Sequence, residues 1–170
     1  MSEKTAGGLL IPTESDVREF LEMTKTVAPP ADFPIPCAVA GALVVASGFL
    51  SPYFITDAGR GLCEFENALV HAAARPITAP QDLVGVLECV ILADRPALIV
   101  ACEVSTEALA LLAINKLRGI LRVCAIAVKD SGPIVRYAGC PTPPSGTFAI
   151  ADFGFAKRVI CGATAAVLEA

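Results

Sequence analysis

Gly48-Phe-Leu-Ser-Pro-Tyr-Phe-Ile-Thr56 sets three aromatic rings on a proline-broken segment without a single charged side chain. Pro52 fixes its own φ and pushes Ser51 toward extended backbone, so no helix runs through this pair. Phe49, Tyr53 and Phe54 therefore either fill a core or form a surface for something apolar, and bulky aromatics go to cores more often. Upstream, Ala38 to Val45 is small and β-branched and reads as a strand that ends in a Ser47-Gly48 turn. The uncharged run from Phe33 to Thr56 is 24 residues, long enough to span a bilayer. Pro34, Pro36, Ser51 and Pro52 interrupt it, and its flanking charges, Asp32 and Asp57, are acidic where an anchored helix carries lysine or arginine. It reads as strands, and no membrane partner is expected.

Downstream the pattern alternates. Ala68 to His71 reads as a strand, Pro80 to Ala93 as a helix with Thr78 as a cap, and Ala97 to Ala101 as a buried strand. A helix from Thr106 to Arg118 follows, with Ser105 as N-cap and Gly119 ending it, then an apolar strand from Ile120 to Val128. A β-α-β-α-β order with short connections implies an α/β fold with parallel strands and right-handed crossovers. Beyond Lys129 the chain is rich in turns, with short strands expected at Ile134 to Tyr137, Phe148 to Ala151, Arg158 to Cys161 and Ala165 to Leu168.

Toward the N-terminus, Pro12 to Val27 reads as one amphipathic helix. Thr13 or Ser15 can cap it, and Val17, Phe20, Leu21 and Val27 recur at helical spacing. Four prolines between Pro29 and Pro36 then permit only an extended linker. The chain thus divides into residues 1–36, helix and linker, and residues 37–170, the α/β domain.

Composition excludes several classes. With 170 residues, 55% hydrophobic and 18% charged, this is one apolar globular domain rather than a disordered chain. A net charge of -4 and the absence of any basic run exclude nucleic acid as a partner. The seven cysteines lack a Cys-x-x-Cys pair and are odd in number, which fits reduced thiols in a cytosol-like compartment. No metal-ligand spacing involves the one histidine, His71, and no secretory signal opens the chain. His71 ends an apolar strand with no acid or oxyanion motif tied to it, so it reads as structural and no enzyme activity is expected. No glycine loop suited to phosphate is present, so no nucleotide cofactor is expected.

The two helices flanking Ala97 to Ala101 carry more apolar residues than one stripe accommodates. Leu83, Val84, Val86, Leu87, Val90 and Ile91 crowd the first; Leu109, Leu111, Leu112, Ile114 and Leu117 the second. The surplus packs on the rest of the chain or forms a partner site.

The run Phe49-Leu-Ser-Pro-Tyr-Phe-Ile55 resembles the signature that opens the apical, substrate-binding domain of GroEL-type group I chaperonins. Val86-Leu-Glu-Cys-Val90, Arg95 to Ala101, Glu107-Ala-Leu-Ala110, Asn115 to Val123 and Gly154 to Ile160 resemble further motifs of that domain in the same order. The likeness covers roughly Val39 to Ala170. It implies a GroEL apical-domain-like fold and ATP-independent binding of non-native polypeptide in an apolar groove between two helices, in the manner of a holdase. Carried over, the groove is Phe49, Tyr53, Phe54, Val84, Leu87, Leu109, Ala113 and Ile114, flanked by Ser51, Glu88 and Asn115. Phe49 replaces a tyrosine common in the family, Val84 a leucine and Ala113 a valine, so the site is trimmed and weaker affinity is expected. The family's Gly-Asp-Gly-Thr-Thr nucleotide signature has no counterpart, and residues 129–154 are shorter than in the family and lack its helices. The alternative implied is a structural or regulatory module that keeps the fold and binds itself or a chaperonin subunit. Its concrete form has Val17, Phe20 and Leu21 reaching the groove.

Overall fold

In a computed structural model, residues 3–4, 8–26, 41–141 and 150–170 are described. Val27, the proline-rich linker, Cys37, the beginning of the Ala38 to Val45 strand and Phe148 lie outside them.

Three hydrophobic strands lie side by side in parallel, as their order predicts. They are β4 (Cys63–Ala72), β5 (Ala97–Ala101) and β6 (Val123–Ala127), with Leu69 opposite Ala97 and Ala97 opposite Val123. All five residues of β5 are buried, because a central parallel strand is covered on both faces. The crossovers are α2 (Gln81–Ala93) and α3 (Thr106–Leu117), which the right-handed rule places on one face of the sheet. Antiparallel strands extend it. β7 (Gly154–Cys161) pairs with β4, β8 (Ala166–Glu169) with β7, and β3 (Leu43–Val45) with β8, giving the order β3-β8-β7-β4-β5-β6.

The aromatic segment ties the two edges of this sheet together. After β3 the chain bridges to β6 through Phe49 and Ile126, the Leu50 N–H donates to the Ala125 carbonyl at 2.9 Å, and the Phe49 N–H donates to the Gly162 carbonyl at 3.0 Å. Gly48 is required there by close approach, since a Cβ would stand 2.2 Å from the Ala163 carbonyl carbon. Ser51 is extended, as Pro52 demands, and Pro52–Phe54 then form one 3-10 turn whose Tyr53 N–H donates to the Ser51 hydroxyl at 3.3 Å.

Five local expectations are corrected. Ile134 to Tyr137 belongs to a helix, α4 (Gly132–Ala138), and not to a strand. Pro133 lies in its first turn and Gly139, at φ +69°, ends it; this pairing of proline at the start and glycine past the end outweighs the β-branched Ile-Val pair. The same helix shows that residues 129–154 are not without helix. The Ile120 to Val128 strand is confined to β6, and Ala151 lies in a 3-10 turn, Ile150–Asp152. Thr78 does not cap α2; Asp82 reaches back, accepting from the Thr78 N–H at 3.0 Å and the Ala79 N–H at 3.1 Å. These bonds, Ala79's first, hold the Asp82 carboxyl below its ordinary pKa.

The N-terminal region is a two-residue antiparallel ladder, β1 (Glu3–Lys4) with β2 (Leu10–Ile11), followed by α1 (Glu14–Thr26). Thr13 is the cap. Its hydroxyl accepts from the Asp16 N–H at 3.3 Å while the Asp16 carboxylate accepts from the Thr13 N–H at 2.9 Å, a reciprocal box.

Cys63 and Cys161 are directly opposite on β4 and β7, and both are fully buried, as is Cys124. Burial, then thiol hydrogen bonds from Cys161 and Cys63, push the Cys124 thiol well up, so it stays protonated. The six described cysteines are free thiols; Cys63, Cys124 and Cys161 serve as small core residues, whereas Cys89 and Cys140 are half-buried and Cys102 is exposed.

Candidate polypeptide-binding site

Two clusters divide the apolar residues. The main one fills the space between sheet and helices, and Phe49, Phe54 and Leu87 are part of it, Phe54 and Leu87 with no exposed surface. On α2, Val84 packs half-buried against the same cluster, and Glu88 is half-buried beside it. The second cluster lies on the far side of α3. Ala110, Ala113, Leu109 and Ile114 of α3 meet Tyr53 of the aromatic turn there, and Phe20 and Val17 of α1 complete it. Four of the eight groove residues implied by the resemblance, Tyr53, Leu109, Ala113 and Ile114, thus come together; Phe49, Phe54, Val84 and Leu87 are placed in or against the main core.

α3 is thus buried on two faces, with Ala108, Leu111 and Leu112 toward the main core and Ala110 and Ala113 toward α1. This explains the surplus of apolar residues read from its sequence. The surplus on α2 has a different outcome: Leu83, Val86, Leu87 and Val90 are buried, while Leu92 is 81% exposed. On α3 Leu117 is 52% exposed.

Hydrogen bonds hold the two walls of the second cluster. The Lys116 ammonium on α3 donates to the Ile55 carbonyl at 3.0 Å, joining the helix to the aromatic turn. Phe20 and Tyr53 stack in a tilted arrangement with centroids 5.8 Å apart. Asn115, fully buried, uses its carboxamide in both directions. Its Oδ1 accepts from the Leu10 N–H at 2.7 Å, and its Nδ2 donates to the Leu10 carbonyl at 2.8 Å and to the Leu111 carbonyl at 2.7 Å. Ser51, also buried, shapes the turn rather than facing the cluster. Of the α1 residues expected to reach the groove, Val17 and Phe20 do so, whereas Leu21 is 41% exposed. Sequence reasoning missed the docking of Leu9 and Leu10, which are buried beside α3; a Leu-Leu-Ile run ahead of a helix cap was the available signal.

His71 is buried at the end of β4 with its ring edge-on to Phe153, centroids 6.2 Å apart. Desolvation pushes its pKa down to about 4, so the imidazole is neutral at pH 7. Among the described residues no group of three or more His, Cys, Asp or Glu is arranged to hold a metal ion, and no helix is long and apolar enough to cross a membrane.

The parallel core with its antiparallel extension is a chaperonin-like domain fold. Among solved structures, it is similar to the chaperonin gp146 from the bacteriophage EL 2 (Pseudomonas aeruginosa), with a TM-score of 0.54 over 93% of this chain and 35% of that one, at 14% identity. In sequence, half of the chain is similar to part of the GroEL-type chaperonins. It is 48% identical over 85 residues to Chaperonin GroEL 1 of Prochlorococcus marinus (strain MIT 9313), which is 50% of this chain and 15% of that protein. Over an equal stretch it is 45% identical to RuBisCO large subunit-binding protein subunit beta-1 of Chlamydomonas reinhardtii, 20% of whose length is covered. The chain therefore spans no more than a fifth of the curated relatives it matches. No protein-family profile matches it.

Proposed function

We propose that this chain is a chaperone-like module that binds non-native or extended polypeptide without ATP, in a cytosol-like compartment. The apolar face of Tyr53, Leu109, Ala113 and Ile114, over which α1 lies, forms the part of the site outside the main core. Phe49, Phe54, Val84 and Leu87 back it, and Ser51, Glu88 and Asn115 flank it. The observation that supports this reading is the seat of α1: an amphipathic helix rests its one apolar stripe on these four residues. A site that takes such a helix needs only apolar side chains at i and i+3 and no sequence-specific bonds. Burying two side chains of that size gains about 3–6 kcal/mol, much of which is offset by ordering the peptide, so single-site affinity is weak.

Suppression of aggregation of a denatured model protein, without ATP, tests the reading. The full chain and its Phe20→Ser variant are compared with the same two proteins carrying Tyr53→Glu or Ile114→Glu. Suppression by either parent, lost on adding a glutamate while the sheet remains folded, is the expected result. No suppression by the full chain or by Phe20→Ser would overturn it. The covering of the site by α1 also favours a second reading, a regulatory module whose partner is itself or a chaperonin subunit; a defined complex with such a subunit, in place of any holdase activity, marks that outcome.

A further inference from the structure

The stretch from Leu9 to Phe20 engages the domain through two modes of peptide recognition, one extended and one helical. The Asn115 carboxamide presents an acceptor and a donor to the N–H and C=O of Leu10, which is what the neighbouring strand of a sheet presents. That contact reads the backbone, while the Leu10 side chain itself is buried. Leu9 is fully buried in the main core just before it. Further along the chain, Val17 and Phe20 pack with α3 and Tyr53, while Glu14, Arg18, Glu19 and Glu22 on the remaining faces of α1 are exposed. The helix makes its contact through one stripe, as a docked peptide does, and it covers the four residues assigned above to polypeptide binding.

Resting on that assignment, we propose that Leu9–Phe20 is a tethered pseudosubstrate. It occupies the site in cis, and polypeptides enter only by displacing it; the segments it yields to are an extended residue pair followed by an apolar i, i+3 helix. The 14 residues between Thr26 and Gly41 can span up to roughly 45 Å, enough for α1 to leave the site with the domain intact. A 13-residue helix is marginal in isolation, so α1 depends on its seat and unravels once displaced. Apparent affinity for an incoming peptide is reduced by the fraction of molecules in which the site is open.

The test measures binding of a labelled synthetic peptide of residues 9–26 to the full-length chain and to Phe20→Ser, with Val17→Asp as a second opened variant. Hydrogen exchange of the α1 amides reports whether the helix has left. Faster α1 exchange together with peptide binding at least tenfold tighter than wild type is expected, and Tyr53→Glu added to the opened variant abolishes the gain. Release of α1 with unchanged peptide affinity would overturn the inference, as would α1 remaining protected in both variants. If the opened variants then hold a denatured protein no better than wild type does, yet wild type suppresses its aggregation, the pseudosubstrate fails and the proposed function stands. If neither wild type nor variants hold it, both fail.

Discussion

Replacing Asn115 by alanine is the sharpest test of how the N-terminal segment is held. The side chain makes three hydrogen bonds of 2.7 to 2.8 Å, two of them to Leu10. Each is worth about 1 kcal/mol net, and each Leu10 group left unsatisfied costs about 1–3 kcal/mol if water cannot reach it. Alanine leaves room for some water, so the combined loss is roughly 2–4 kcal/mol. That loss need not appear in global unfolding, because residues 9–26 can open while the sheet stays intact. Hydrogen exchange followed residue by residue is therefore the assay. The Leu10 amide should exchange about 30- to 1000-fold faster in Asn115→Ala, at about 1.4 kcal/mol per tenfold. Amides of β5, shielded in the middle of the sheet, should change little. Acceleration at Leu10 of less than about threefold would refute the assignment of these bonds as the anchor. Equal acceleration across β5 would show that segment and sheet open as one unit.

Two further outcomes follow from burial. His71 has a folded pKa of about 4 against about 6.5 unfolded, so the unfolded chain takes up its proton first as pH falls. Stability should be full above pH 6.5 and decline by roughly 3 kcal/mol toward pH 4, and urea titrations of wild type and His71→Gln should differ in this slope; parallel slopes would remove His71 as its origin. Leu87 has no exposed surface, so Leu87→Glu buries a charge and should cost more than about 4 kcal/mol, with loss of the cooperative thermal transition, whereas the half-buried Tyr53→Glu should keep that transition. A folded Leu87→Glu protein of near wild-type melting temperature would place Leu87 at the surface.

Much of the architecture was legible from local chemistry. The five-residue run Ala97–Ala101 is buried throughout, and the Ser105 hydroxyl accepts from the Ala108 N–H at 3.2 Å, both as their patterns require. A continuous apolar run, a capping hydroxyl and a following glycine act within a few residues, so sequence alone determines them. Where local signals competed, as in α4, the reading failed, because Ile-Val favours strand while Pro133 and Gly139 favour a short helix. The aromatic segment was recognised, but whether its rings face solvent or core was not decided by it. Phe54 is buried and Tyr53 half-buried one position away, since their environments are set by β6 and α3, which lie far off in sequence. The same holds for the surplus apolar face of α3. Its periodicity marked Leu109 and Ile114 as part of a surplus that either packs on the chain or forms a partner site, and only the tertiary structure decided that Val17 and Phe20 of the chain's own first helix cover them. Burial is a property of what stands opposite a residue, and periodicity describes only the residue's own side.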